Sequence, residues 1–581
     1  MKINLTSHTA MKFGYLLIGS VVWLANFIHA GSFGIYEDDY IMVLPAIGRS
    51  FSELLSANWG YLCGWPQGRP VFWILNDTWI WLVCHLAGIS ALYFVAFLLQ
   101  WLCAVLVFKF LLRLLPITSS LLGAIFFGLF PPDAGKQIIM HQVVFPWMTL
   151  CLLAFFFLFQ RRSFVLASLL LVLIGLTYEP YLLASLGCGF LLLAHSTAKN
   201  PWKTLLPPLV VTAGVLVTVL ALRQVIGEAR AVEVLGDPLG PISRGLSALL
   251  IGPFYLVVIT LGRSTQALLY SSWDERMAWA VAAGGVALFL FALAQGRKTG
   301  PLKVQTSSHR WLLAAGLVMM VAPYLYRFSA DYYPPSLNIG RLSSLHQVSA
   351  LGASLLLALL IQATLKWGKQ WQGWVLTGWV IWITAFVPLN LRIQTSQYVK
   401  SAALQKQFWL DLVSQIGDWR PGMPILIDFE SGYQQGKEWR PGTEGFGPYW
   451  LSNYPTKCLA QLFQFPPEWP KKWPEAPGIY IYYPSMPQWL ERDGLAYVPC
   501  YVLSKENPLI IRSKQFICFN CKEGRLIRTE KSIFAFGKEF VPQKIDPKKT
   551  FKKPELTKVG IDIFDRPKKM WGSLIPSKNY P

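Results

Sequence analysis

The chain has 581 residues, 54% of them hydrophobic, 14% aromatic and only 14% charged; 52 Lys and Arg against 31 Asp and Glu give a formal net charge of +21. Mean hydropathy is +0.40, which excludes an ordinary soluble enzyme and implies a polytopic α-helical membrane protein. The basic residues gather in short loops and in a polar C-terminal part, so their charge implies membrane lipid as a partner and no nucleic acid.

A membrane core of about 30 Å takes about 20 apolar helical residues to cross. Runs of that kind predict about eleven crossings, near 13–30, 90–113, 118–131, 146–160, 163–178, 180–196, 205–226, 277–295, 311–326, 345–365 and 373–391. The first, after Lys12, reads as a start-anchor crossing in preference to a cleaved signal peptide, because more spans follow. The pairs Lys109/Arg113, Arg161/Arg162, Lys199/Lys203 and Lys366/Lys369, with the cluster Arg297/Lys298/Lys303/Arg310, fall at alternate loops. The positive-inside rule puts those loops in the cytoplasm. The N-terminus is then cytoplasmic, and 31–89, 132–145, 227–276 and 327–344 are external loops of a membrane module covering 1–391. Two more apolar runs, 70–88 and 246–262, break the count and are expected to lie along the membrane surface, the first with Trp73, Trp79 and Trp81 at the interface.

From about 392 the apolar runs shorten and Pro and Trp become frequent. A helix over 400–417 and strands at Met423–Asp428, Gly478–Tyr483, Leu495–Val498 and Leu509–Ile511 predict a soluble, extracytoplasmic α/β domain over 392–540. The Lys- and Pro-rich stretch 541–581 is expected to be a solvated, partly disordered tail. Among the cysteines, Cys103, Cys151 and Cys188 read as small hydrophobes inside apolar spans. Cys518-Phe519-Asn520-Cys521 is half of a zinc-ribbon pattern, which needs Cys458 and Cys500 to complete it; an external location makes disulfides among these four the alternative.

The densest polar chemistry is Glu37-Asp38-Asp39, directly after the first apolar run. Ionised carboxylates are costly in hydrocarbon and belong in headgroups or a water-filled cavity. A carboxylate within hydrogen-bond reach of a sugar hydroxyl can take its proton as general base, and Asp38 is the first candidate, with Asp39 and Glu37 as alternatives. The plainer reading is that Glu37 and Asp39 cap the following helix. In the loop Pro131–Gln142, Lys136 and His141 are candidates to face one cavity, His141 either binding a donor phosphate or serving as an ordinary structural histidine. Glu179, before Pro180, either hydrogen-bonds substrate or forms a salt bridge between helices. Arg341 is the strongest candidate to meet a leaving phosphate with its planar guanidinium, against a role as an interfacial arginine reaching lipid phosphate. The same choice applies to Arg69. No Asp-x-Asp pair or His/Cys spacing in the membrane half demands a divalent metal, and no cofactor is expected. Phosphate-cradling glycine loops and the Gly-x-Ser-x-Gly and His-Glu-x-x-His motifs are missing, so nothing points to ATP hydrolysis, serine esterase or zincin chemistry.

The order of an acidic pair after the first crossing, Gln67-Gly68-Arg69-Pro70, a charged second external loop and Gly340-Arg341 in a late external loop resembles the C-fold (GT-C superfamily) integral membrane glycosyltransferases over roughly residues 10–390. That resemblance implies a sugar donor on a polyprenyl phosphate or pyrophosphate, inversion at the anomeric centre, and a glycan, lipid or protein acceptor beside an aspartate of the first external loop. The leading acid of the family's pair aligns with Asp38, whereas Glu37 extends the pattern and leaves Asp39 open as the base. The competing classes are a transporter or lipid flippase, disfavoured because no inverted repeat is visible, and a non-catalytic assembly protein.

Overall fold

The computed structural model describes residues 7–36, 39–133, 135–195, 201–227, 239–296, 309–329 and 343–416, then shorter stretches at 425–428, 463–464, 479–482, 490–492, 495–498, 509–511, 517–522, 525–535, 538–540, 542 and 555–564. The chain divides into two compact units, one of Met1–Ala30 with Ala46–Thr395, the other of Gly31–Pro45 with Ser396–Pro581.

Up to residue 415 the described elements are helical: α1 (Ser7–Asn26), α2 (Asp39–Gly48), α3 (Phe51–Gly64), α4 (Pro70–Ala87), α5 (Ser90–Leu112), α6 (Ile117–Leu129), α7 (Ile139–Gln160), α8 (Phe164–Thr177), α9 (Pro180–Ser185), α10 (Gly187–His195), α11 (Trp202–Val225), α12 (Leu239–Tyr270), α13 (Trp273–Gly296), α14 (His309–Val321), α15 (Ser344–Val348), α16 (Ala350–Trp367), α17 (Gln372–Thr384), α18 (Phe386–Ile393) and α19 (Lys400–Gln415). Their starts obey local rules. Pro70 and Pro180 occupy the first turns of α4 and α9, where no amide is needed. Ser50 and Glu53 form a reciprocal capping box on α3, and Ser272 and Glu275 exchange the same pair of bonds ahead of α13.

Among the described residues, eight helices are long and apolar enough to cross a membrane, which makes this a multi-pass helical membrane protein. Their outward faces agree: Leu250 and Phe254 on α12 are 78% and 62% exposed, and Leu288 and Phe291 on α13 are 70% and 63% exposed. Such surfaces are tolerated against lipid and not against water. The run 246–262 lies inside α12, whose 32 residues rise about 48 Å at 1.5 Å each and include a stretch long and apolar enough to cross a membrane. The run 70–88 becomes α4, which buries Phe72, Asn76, Asp77 and Ile80 and packs on α5, α7 and α8, so one flank of it is built into the bundle. At its centre α1 packs on α5, α6, α13 and α18; Asn26 donates to the Gly128 carbonyl (3.1 Å) and Gln394 to the Ala25 carbonyl (2.5 Å).

The second unit carries the strands β1 (Ile425–Asp428), β2 (Phe463–Gln464), β3 (Ile479–Tyr482), β4 (Leu490–Arg492), β5 (Leu495–Val498), β6 (Leu509–Ile511), β7 (Ile517–Lys522), β8 (Arg525–Thr529), β9 (Ile533–Ala535), β10 (Lys538–Phe540) and β11 (Glu555–Leu556), with α20 at Lys558–Phe564. One sheet has the order β3-β1-β7-β8, parallel except for the antiparallel β7–β8 pair. Its edge strand β8 is covered by α19: Asp411 accepts from the Leu526 amide (3.3 Å), while Gln415 donates to the Leu526 carbonyl (2.8 Å) and accepts from the Arg528 amide (2.9 Å). Residues four apart on a helix thereby take the backbone bonds a further strand would have made. Within the stretch expected to be a tail, β11 and α20 are formed, and Ile563 is buried.

A close backbone contact lies between α14 and α16, where a Cβ on Gly352 would stand 2.4 Å from the Met320 amide nitrogen and 2.7 Å from the Gly316 carbonyl oxygen. Backbone cannot yield as a side chain can. Gly352→Val is expected to destabilise the bundle by about 1–3 kcal/mol, read as a lower thermal midpoint in detergent. Gly284→Ala, where a Cβ meets nothing within 4 Å, serves as the neutral control; equal midpoints for both variants would contradict the close approach.

Candidate functional site

The acidic segment lies in the second unit. Tyr36 and Tyr40, both fully buried, bracket it: the Tyr36 hydroxyl donates to the Tyr398 carbonyl (2.9 Å) with the two rings edge to face at 5.0 Å, and the Tyr40 hydroxyl donates to Gln405 Oε1 (2.5 Å). Asp39 opens α2, is fully buried, and its Oδ2 accepts from the Tyr36 amide (3.2 Å). That is a helix-start role, favoured by the helix dipole. Glu37 and Asp38 fall outside the described residues.

In the first unit the turn before α4 is strained. Trp65, Gln67 and Gly68 have φ of 45°, 54° and 67°, and the first two are residues that seldom adopt positive φ. Gly68 is needed twice over, because a Cβ there would stand 2.5 Å from Arg223 Nε. Arg223, in the last turn of α11, donates to the Gly68 carbonyl from Nε (3.2 Å) and from a terminal nitrogen (2.9 Å), and pairs with Glu179. Arg69 donates from Nε to both oxygens of Glu179 (3.2 and 2.9 Å) and from its terminal nitrogen to the Tyr326 hydroxyl (2.8 Å). Its guanidinium carbon also lies 4.6 Å from the centre of the Tyr178 ring. All three charged side chains are 97% or more buried, with 3%, 3% and 1% exposure for Arg69, Glu179 and Arg223.

Next to this cluster is a cavity of about 20 Å³ lined by Phe27, Ala96, Gln100, Asp133, Lys136, His141, Gln142, Phe145, Pro146 and Gln347. Lys136 is buried and donates to the Leu129 (2.6 Å) and Phe130 (3.0 Å) carbonyls at the end of α6, where the helix dipole favours a cation. Asp133 accepts from the Gly135 amide (2.8 Å). Burial pushes the Asp133 carboxyl up, with Lys136 and the Gly135 amide opposing; burial pushes the Lys136 ammonium down to about 8, with Asp133 opposing. Rings join the cavity to the ion cluster: His141 to Phe145 at 4.9 Å and Phe145 to Tyr178 at 5.3 Å, with Arg69 over Tyr178.

Four of the residues singled out in the sequence thus share one neighbourhood, Arg69 paired with Glu179 and Lys136 with His141 at the adjoining cavity. Arg341 lies outside the described residues. The sequence reading passed over Arg223, Tyr326, Gln142 and Gln347. Arg223 had a usable signal, a lone arginine at the inner edge of an otherwise apolar run; the two glutamines had none. Cys518 and Cys521 both lie in the continuous strand β7, paired with Thr529 and Leu526 of β8, instead of in the turn a zinc knuckle uses; Cys458 and Cys500 fall outside the described residues. Comparison of the chain with family models, with curated proteins and with solved structures finds no match.

Removing Glu179 leaves two buried guanidinium groups without their shared carboxylate. Glu179→Gln is expected to cost about 3–5 kcal/mol, and Arg223→Gln added to it should recover part of that loss, measured as thermal midpoints in a double-mutant cycle. Strict additivity would refute the pairing.

Lys136 also sets a pH dependence. Its folded pKa of about 8 lies below the ordinary 10.5, so between those values the unfolded chain holds a proton that the folded chain has released. The cost of burying the ammonium is present below about pH 8 and is relieved as pH rises through that window. The midpoint of the wild type should therefore rise relative to Lys136→Met between pH 7.5 and 10; a constant difference would show that the ammonium is not the titrating group.

Proposed function

We propose that this protein is an integral membrane glycosyltransferase that moves a sugar from a polyprenyl-phosphate donor to an acceptor on the extracytoplasmic face, with inversion. The observation that carries the reading is the fastening of the acidic segment: buried Tyr36 and Tyr40 hold its two ends, and Asp39 is occupied by the Tyr36 amide. Asp38, next in the sequence to Asp39, is assigned as the general base. The acceptor hydroxyl oxygen bonds to C1 of the sugar as its proton passes to the Asp38 carboxylate. The bond from C1 to the phosphate oxygen breaks, and the polyprenyl phosphate leaves with the electron pair.

Arg341 is assigned to that leaving phosphate. Its planar guanidinium suits a phosphate, which it can meet bidentately. Arg69 and Glu179 act on the donor by shaping the neighbourhood of the ion cluster, and Lys136 and His141 line the sugar side of it. The N-terminus is cytoplasmic and the unit containing the strands extracytoplasmic, as the alternation of basic loops directs.

One observation favours a transporter as the second reading. Asp77 is a fully buried carboxylate halfway along α4, paired with Arg49, and buried ionisable groups in helical membrane proteins mark ion or substrate paths. Transport predicts substrate movement in vesicles with no covalent product.

Purified protein supplied with labelled polyprenyl-phosphate sugars separates these readings. Asp38→Asn is expected to lower turnover by about 10²–10⁴-fold, and Asp39→Asn to lower thermal stability more than turnover. Undiminished turnover in both variants would sink the assignment of the base.

A further inference from the structure

We propose that the cavity beside the ion cluster is a subsite for the hydroxymethyl group of a hexose, with Gln142 and Gln347 as the residues that read it. This rests on the glycosyl-transfer reading and deepens it, since a pentose has no such group. Gln142 is 5% exposed, and among the described residues neither Nε2 nor Oε1 of its carboxamide meets a hydrogen-bond partner. Gln347 is 6% exposed, and its Oε1 is likewise without a partner. Unpaired buried polar groups of this kind are uncommon in folded proteins and are costly to keep.

Charge decides what can satisfy them. The two ionic side chains of the lining, Asp133 and Lys136, have opposite sign, and Lys136 already donates to two helix-end carbonyls. A phosphate therefore gains no net charge complement here, whereas a neutral hydroxyl does: it donates one proton to a carboxamide oxygen and accepts from a carboxamide NH₂. Size narrows the choice further. About 20 Å³ holds one or two water-sized atoms, enough for a carbon and an oxygen and too small for a pyranose ring. The remaining walls, Phe27, Ala96, Phe145 and Pro146, are apolar and suit a methylene.

A site built to hydrogen-bond a hydroxyl rejects an analogue that lacks it, because its own polar groups are then left unpaired. Matched sugars differing only in that group are glucose with xylose and mannose with lyxose. Binding to the full-length protein in nanodiscs is measured by thermal shift, with methyl glycosides as acceptor probes and polyprenyl-phosphate-linked sugars as donor probes. In whichever series occupies the cavity, the hexose should bind about 10–100-fold more tightly than its pentose. Gln142→Leu and Gln347→Leu should each abolish most of that preference while leaving pentose affinity unchanged, which also reports that the variants are folded. Equal affinity for both sugars, as expected of a cavity that holds only water, overturns the proposal. So does a parallel loss for hexose and pentose, or inorganic phosphate binding that depends on Gln142. The transfer reading fails separately: a hexose preference in binding with no glycosylated product keeps the subsite and removes the transferase, whereas product formed at equal rates from both sugars does the reverse.

Discussion

Glu179 is the residue on which the organisation of the membrane unit turns. One carboxylate holds two guanidinium groups, and each guanidinium ties down a different piece of chain: Arg69 the strained turn into α4 and the Tyr326 hydroxyl, Arg223 the Gly68 carbonyl from the far end of α11. Buried ion pairs of this kind rarely add stability over a well-packed apolar core. What they supply is a fixed arrangement, because any displacement leaves a charge uncompensated in a low-dielectric interior. The positive φ at Trp65 and Gln67 is backbone strain at that same turn, and such strain persists only where the surroundings over-determine it. Pro180 completes the device by ending α8 at Tyr178, so that Glu179 stands at a break where its carboxylate can leave the helix surface.

The second unit solves a different problem, the holding of a carboxylate-rich segment next to an apolar helix. Tyrosine suits it because one side chain provides both a large apolar face and a hydroxyl that can reach a buried acceptor. Tyr36 and Tyr40 use both halves, and their acceptors, the Tyr398 carbonyl and Gln405, lie just before and within α19. The same helix, six and ten residues beyond Gln405, covers the edge of the sheet through Asp411 and Gln415. α19 is therefore the spine of its unit: one end carries the acidic segment and the other the strands.

Much of this was legible in the sequence, and the rest was hidden for physical reasons. Apolar runs announced the helices, since length and hydropathy alone decide that. β-branched and aromatic runs between Pro and Gly announced β1, β3, β5 and β6. The apolar run 246–262 is part of a longer helix, because α12 extends eight residues beyond that run at its end and seven before its start. Arg69 and Glu179 stood out singly, as charges next to proline in apolar surroundings. Their pairing across 110 positions was not legible, because nothing in the spacing of one chain reports which distant turns meet. Gln142 and Gln347 were invisible for a further reason: an uncharged amide at the end of an apolar helix carries no local signal, and only its lack of a partner in the folded protein sets it apart.

The two halves of the membrane-unit site divide the labour by charge. Around Glu179 a buried carboxylate pairs with two guanidinium groups among aromatic rings, an arrangement suited to ordering chain. Around Gln142 the ionic groups cancel, and the remaining donors and acceptors are neutral amides. Phe145 and Tyr178 stand between them, their rings edge to face at 5.3 Å, an apolar layer that separates the ion cluster from the neutral amides.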